Sequence, residues 1–136
     1  TYGTGYDDTP IGIGTEAPGM TSPVHYWVPS IAPSSLAVYE GDVMPPEWRG
    51  NLLVGALAGQ MLVRMVVVDG VVQREERLFV EEIGRIRDVG VSPDGYIYVL
   101  GDGPEAALYR LEPMEEVTLN PDRGRGNGNS PRRSLR

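Results

Sequence analysis

The chain has 136 residues, no cysteine and a formal net charge of −7. This length fits one ordinary domain with a modest core, and the lack of cysteine excludes disulfides and thiolate metal sites. The longest apolar stretch, residues 52–68, is interrupted by Gln60 and Arg64 and is too short to predict a membrane span.

Residues 1–33 are rich in Gly, Pro, Thr and Ser and carry several aromatic side chains. We therefore expect a long irregular segment whose aromatic residues pack on another surface. From residue 34 the pattern changes to short β runs separated by turns. Four strands are predicted, at residues 35–39, 51–57, 61–68 and 71–80. The Asp69-Gly70 pair predicts a tight hairpin between the last two.

A second set of strands is predicted at residues 86–91, 96–100 and 107–111, with the turn sequence SPDG at 92–95. The two sets overlay, because GNLLV at 50–54 falls on GYIYV at 95–99. An offset of roughly 45 residues is typical of four-stranded propeller blades. We predict an all-β fold in which residues 34–112 form about two blades of a partial β-propeller. Since a propeller needs about 4 to 8 blades, the predicted partners include the remaining blades of a larger ring.

Residues 113–136 end in an Arg- and Gly-rich stretch that is apolar only at Leu135 after residue 119, which predicts a disordered tail. Three alternating glycines at 124–128 lack the flanking strand and helix of a phosphate-binding loop. The tail could touch nucleic acid or another anionic surface by charge alone, but a solvated terminus is the favoured interpretation. We predict no nucleic-acid partner.

Arg85 and Arg87 are the most informative residues of the chain. In a strand, residues i and i+2 project from the same face, so two permanent positive charges are expected side by side. Like charges on one sheet face are destabilising, and a carboxylated or phosphorylated ligand would relieve them. The alternative is a solvated strand whose counterions are nearby acidic residues, namely Asp88, Glu81 and Glu82.

Candidate catalytic and metal-binding residues are sparse. His25 is the only histidine, and beside Tyr26 and Trp27 it is predicted to be a packed loop residue. The acidic pairs at 7–8 and 40–42 lack the spacing of a calcium-binding loop. We therefore expect neither a catalytic residue nor a metal site within this chain.

Three ordered segments carry a family resemblance: YWVPSIAPSS at 26–35, WRGNLLVGAL at 48–57, and RIRDV at 85–89 followed by SPDG and YVL at 98–100. Together they resemble the C-terminal part of the soluble pyrroloquinoline quinone (PQQ)-dependent sugar dehydrogenases, the glucose/sorbosone or aldose sugar dehydrogenase family. The resemblance covers about residues 1–112. It implies a six-bladed propeller that uses PQQ and calcium to oxidise the C1 hydroxyl of an aldose to a lactone.

The resemblance also implies roles for particular residues. Arg85 and Arg87 match the arginines that hold the PQQ carboxylates, while Trp27 and Ser30 match a segment that borders the cofactor and sugar pocket. The family's catalytic histidine and main calcium ligands lie in earlier blades, so calcium ligands are expected outside this segment. Some relatives have a lysine where this chain has Ala58-Gly59-Gln60.

The sequence thus predicts the C-terminal part of a periplasmic or secreted PQQ-dependent aldose dehydrogenase, inactive when isolated, with an aldose sugar as the substrate of the parent. The alternative is a non-catalytic propeller segment that serves binding or assembly and keeps only the scaffold.

Overall fold

A computed structural model describes residues 3–114, so most of the predicted tail lies outside the described residues. Residues 3–32 contain no strand beyond an isolated bridge between Thr4 and Pro10. A single 3₁₀ turn at Pro46–Trp48 is the only helix in the described part of the chain. The strands are β1 Pro33–Val38, β2 Leu52–Ala56, β3 Met61–Val68, β4 Val71–Leu78, β5 Ile86–Val91, β6 Ile97–Gly101 and β7 Leu108–Leu111.

The strands form two antiparallel sheets, which confirms the predicted all-β partial propeller. The first sheet has the order β1-β2-β3-β4 and the second has the order β5-β6-β7. The repeat overlay placed β2 on β6, and both are the second strand of their sheet. Asp69 and Gly70 both have positive φ angles, 50° and 76°, as the tight hairpin turn requires.

The pairing of β5 with β6 contains a β-bulge. Ile86 lies opposite Gly101, but Asp88 lies opposite Leu100, so Arg87 is the extra residue of β5. A bulge of this kind turns the side chain of the extra residue to a new direction. Here it keeps Ile86 fully buried while Arg87 and Asp88 are both exposed.

The main core lies between the two sheets and is built from residues on their facing sides together with Tyr39 and Met44 of the segment between β1 and β2. Its buried members are Tyr39, Met44, Leu53, Leu62, Ile86, Val89, Ile97, Val99 and Leu111. A second cluster covers the opposite face of the first sheet, where Trp27 and Ile31 pack against β2 and β3. In the irregular segment before β1, Trp27 therefore packs as the sequence predicts, whereas Tyr6 and Tyr26 are exposed.

Antiparallel pairing brings one set of loops to the same end of both sheets. The Ser34 hydroxyl donates to the Ile86 carbonyl at 2.8 Å, so the start of β1 lies beside the start of β5. The segment before β1, the turn after β2, the loop between β4 and β5 and the loop after β6 therefore all lie at this end. We call it the loop end. Among residues 3–114 no helix is long and apolar enough to cross a membrane.

Candidate anion-binding site

The two predicted arginines lie at the loop end, where β5 begins. Arg85 immediately precedes β5 and Arg87 is its bulged residue. Both side chains are about half exposed, 49% for Arg85 and 52% for Arg87. The prediction that these side chains lie close together is confirmed by a residue that contacts both.

That residue is Asp102, which follows β6. Its backbone N–H donates to the Arg85 carbonyl at 2.8 Å and continues the ladder between β5 and β6. Arg85 Nε donates to Asp102 Oδ2 at 2.9 Å. Arg87 donates to Asp102 Oδ1 through Nε at 3.2 Å and Nη2 at 2.9 Å. One carboxylate therefore bridges two guanidinium groups.

Asp102 only partly neutralises the pair, because one negative charge faces two positive ones. The hydrogen bonds from Arg85 and then Arg87 hold the pKa of Asp102 below its ordinary value, so the carboxylate is charged at neutral pH. Within the described residues Arg85 bonds to Asp102 through Nε alone and Arg87 through Nε and Nη2. Both Nη groups of Arg85 and Nη1 of Arg87 remain as donors for an anionic ligand.

Trp27 belongs to a second polar cluster, on the outer face of the first sheet. Its indole N–H donates to Glu75 Oε2 at 2.9 Å, and His25 Nε2 lies 3.0 Å from the same oxygen. Arg77 Nε donates to Glu75 Oε1 at 2.7 Å. The rings of His25 and Trp27 meet edge to face at 4.6 Å. Glu75 thus anchors the irregular segment to β4.

The Glu75 side chain is only 19% exposed. Burial alone would raise the pKa of Glu75, but the hydrogen bonds from Arg77, Trp27 and His25 outweigh it and leave the pKa below its ordinary value. His25 is a packed loop residue, as predicted, with a ring and a carboxylate as its neighbours.

Ser30 lies in the loop just before β1, where its hydroxyl oxygen accepts a hydrogen bond from the Ala32 N–H at 3.1 Å. Ser30 and Trp27 line one cavity of about 500 Å³, which also touches Gly59 of the turn after β2 and Arg77. Neither Arg85 nor Arg87 lines this cavity. The four predicted residues therefore form two separate pairs, Trp27 with Ser30 and Arg85 with Arg87.

Hydrogen bonds at the loop end connect the segments that carry the two pairs. Ser34, four residues after Ser30, donates its hydroxyl to the carbonyl of Ile86, the residue between the two arginines. The Ala32 carbonyl also accepts the N–H of Leu57 in the turn after β2. The first contact holds the start of β1 beside the strand that carries the arginines, and the second holds the end of the irregular segment against the turn after β2.

Among residues 3–114 no group of three or more His, Cys, Asp or Glu side chains is placed to hold a metal ion. Calcium therefore stays an expectation of the family resemblance, with its ligands outside this segment.

Asp102 and Glu75 are the site residues that the sequence analysis missed. The acidic residues considered as counterions of the arginines were Asp88, Glu81 and Glu82, but Asp88 instead accepts the N–H of its neighbour Val89. A usable signal existed in the spacing of Ile86 and Val89. Apolar residues three apart in a strand break the period of two, which indicates a bulge.

The fold and the arginine pair define a segment of a β-propeller with a candidate anion site at one end. The family model of glucose/sorbosone dehydrogenase matches residues 1–110. The chain belongs to this family.

Individual relatives agree with this assignment. The chain is 36% identical over 115 residues to the aldose sugar dehydrogenase YliI of Escherichia coli, covering 83% of this chain and 31% of that protein. A solved glucose dehydrogenase is 40% identical with a TM-score of 0.76, covering 82% of this chain and 33% of that one. The PQQ-bound aldose sugar dehydrogenase of Streptomyces coelicolor is 22% identical with a TM-score of 0.54, covers 71% of this chain and 29% of that one, and shows likeness of fold. The chain thus spans about a third of the length of these relatives.

Proposed function

We propose that this chain is the C-terminal part of a PQQ-dependent aldose dehydrogenase and that Arg85 and Arg87 hold carboxylates of the cofactor. The observation that carries the proposal is the pair of half-exposed arginine side chains, whose guanidinium groups are bridged by one carboxylate and keep a net positive charge. PQQ is a tricarboxylate, and guanidinium groups bind carboxylates through paired N–H donors. The Nη groups that Asp102 does not use are suited to this role.

The proposed work of this segment is binding and orientation. The arginines would fix the position of the cofactor through charge-assisted hydrogen bonds, and Trp27 and Ser30 would border the pocket for cofactor and sugar. PQQ, when bound, supplies the two-electron oxidation of the sugar C1 hydroxyl. The histidine base and the calcium ions belong to the part of the parent outside this segment. A periplasmic or secreted location is part of the same proposal.

The test is cofactor binding in the full-length protein that carries this chain. In R85A or R87A, PQQ affinity should fall about ten- to a hundredfold, because each change removes a charge-assisted contact worth roughly 1.5–3 kcal/mol. R85K and R87K should also weaken binding, since lysine cannot reproduce a two-pronged contact. Affinity is measured by titrating the apoprotein with PQQ and following its absorbance or the quenching of tryptophan fluorescence.

Arg49 supplies the matched control. It is another half-exposed arginine, 57% exposed, paired with Asp42 at 2.9 Å, and it lies near the start of β2, at the end opposite the arginine pair. R49A changes the net charge equally and should leave PQQ affinity unchanged. If R85A and R87A bind PQQ as tightly as R49A does, the cofactor role is wrong and the arginines are surface charges of a non-catalytic propeller segment.

A further inference from the structure

We propose that Asp102 is a positioning residue, which sets the spacing and orientation of the Arg85 and Arg87 guanidinium groups for an anionic ligand. This inference rests on the proposed function, because it concerns how the same arginines are prepared for PQQ. The inference adds to the proposed function that a carboxylate is needed for binding, although the ligand is itself an anion.

The geometry favours positioning over simple ion pairing. Asp102 uses both carboxylate oxygens, Oδ2 for Arg85 and Oδ1 for Arg87, at 2.9–3.2 Å. Its backbone is fixed as well, because its N–H bonds to the Arg85 carbonyl at 2.8 Å. The backbone pairing of β5 with β6 therefore fixes both the carboxylate and the arginines. The position of the carboxylate in turn sets the positions of the two guanidinium groups.

Without Asp102, the two arginine side chains would be poorly ordered, and this would weaken ligand binding. Two half-exposed arginines repel each other and sample many rotamers, so a ligand that required both would have to order them on arrival. Asp102 orders them beforehand. It engages the Nε edges of the guanidinium groups, and this leaves outer Nη donors for the ligand.

Asp102 also has an electrostatic effect of opposite sign. Its negative charge lowers the positive potential that attracts an anion, so removing the charge would strengthen binding if electrostatics alone mattered. Positioning predicts weaker binding after the same change. The two roles therefore predict opposite directions for one measurement.

The experiment compares D102N and D102E in the full-length protein by titration of the apoprotein with PQQ. D102N keeps the shape of the side chain and removes its charge; D102E keeps the charge and moves it by one methylene group. We expect both to weaken PQQ binding, D102N by about tenfold, the lower end of what the loss of supporting hydrogen-bond partners costs at metal sites. Tighter binding in D102N, or unchanged binding in D102E, would overturn the inference.

Asp88 is the matched control for charge. It lies next to Arg87, but its carboxylate accepts the N–H of Val89. D88N makes the same charge change within one residue of the site and should bind PQQ as tightly as the wild type, or slightly more tightly. A loss in D88N equal to that in D102N would show that any local charge change disturbs the site, and it would also overturn the inference.

A double-mutant cycle separates positioning from general stability. In a background that lacks both guanidinium groups, R85A/R87A, adding D102N should change PQQ affinity by less than about twofold, since no arginine remains to be positioned. An equal loss in both backgrounds would mean that Asp102 acts on the fold and not through the arginines. If R85A and R87A themselves bind PQQ normally, the proposed function fails; if they bind weakly while D102N does not, only the role of Asp102 fails.

Discussion

Replacing Arg64 tests whether the polar network around its side chain on the first sheet stabilises the fold. Arg64 lies on β3 with its side chain only 4% exposed. Its Nε and Nη2 both lie 2.7 Å from Glu76 Oε2, and its Nη1 donates to Asn51 Oδ1 at 2.9 Å. The guanidinium also stacks over the ring of Trp48 at 4.5 Å.

The loss of folding free energy in R64A is the sum of what each partner of Arg64 loses when the guanidinium group is removed. Asn51 is 5% exposed, so its Oδ1 loses a partner in a buried place, which costs about 1–3 kcal/mol. The lost stacking on Trp48 adds about 0.5–2 kcal/mol. Glu76 is 42% exposed and recovers water, so its share is about 0–1 kcal/mol. Together these contributions predict that R64A lowers the free energy of unfolding by about 1.5–6 kcal/mol.

The assay is urea unfolding of the full-length protein, followed by circular dichroism and read as a midpoint at unchanged slope. R49A is the control, since its pair with Asp42 is exposed on both sides and should cost at most about 1 kcal/mol. R64M fills more of the vacated volume than alanine does, without a charge, and should be less destabilising than R64A. An R64A midpoint equal to that of R49A would refute the reasoning that burial makes the Arg64 contacts valuable.

Two further predictions concern stability. The pKa of Glu75 is lowered in the folded chain, so its contribution is complete above the ordinary glutamate pKa of about 4.3 and disappears as the pH falls through the lower folded value. E75Q should therefore destabilise the protein at pH 7 and much less below that window, as thermal unfolding across pH will show; a difference that does not change with pH contradicts the ionic role. In G41A the new Cβ would lie 2.6 Å from the Gly95 carbonyl oxygen, which should cost about 1–3 kcal/mol in urea unfolding. Gly90 has no atom within 4 Å of an added Cβ, so G90A is the control, and equal losses in the two variants contradict the steric argument.

The strands could be predicted from the sequence because their signals are local. Period-two patterning, the Asp69-Gly70 turn and the SPDG turn each depend on neighbouring residues. The predicted strands at 61–68 and 86–91 coincide with β3 and β5, and the other five differ by at most two residues at either end. The sequence also predicted that the arginine pair has a negative partner, because two permanent positive charges so close in a strand repel each other.

The identity of that partner was decided by the tertiary structure. In a straight ladder counted from the SPDG turn, Arg87 would oppose Gly101 and its side chain would face the core, with Ile86 turned to solvent. The bulge at Arg87 reverses this, because burying Ile86 between the sheets is favourable and burying an arginine is not. The same shift places Asp102 opposite Arg85.

The partners of Glu75 and Arg64 likewise could not be predicted from the sequence. Glu75 meets Trp27 and His25 across 48 and 50 residues of sequence, and Arg64 meets Asn51 across 13. Such contacts depend on how the irregular segment crosses the first sheet and how the two sheets pack. The sequence by itself determined the strands, the turns and the charged residues that needed partners. The choice of partner came from packing, because only the burial of the apolar faces fixes which distant side chains meet.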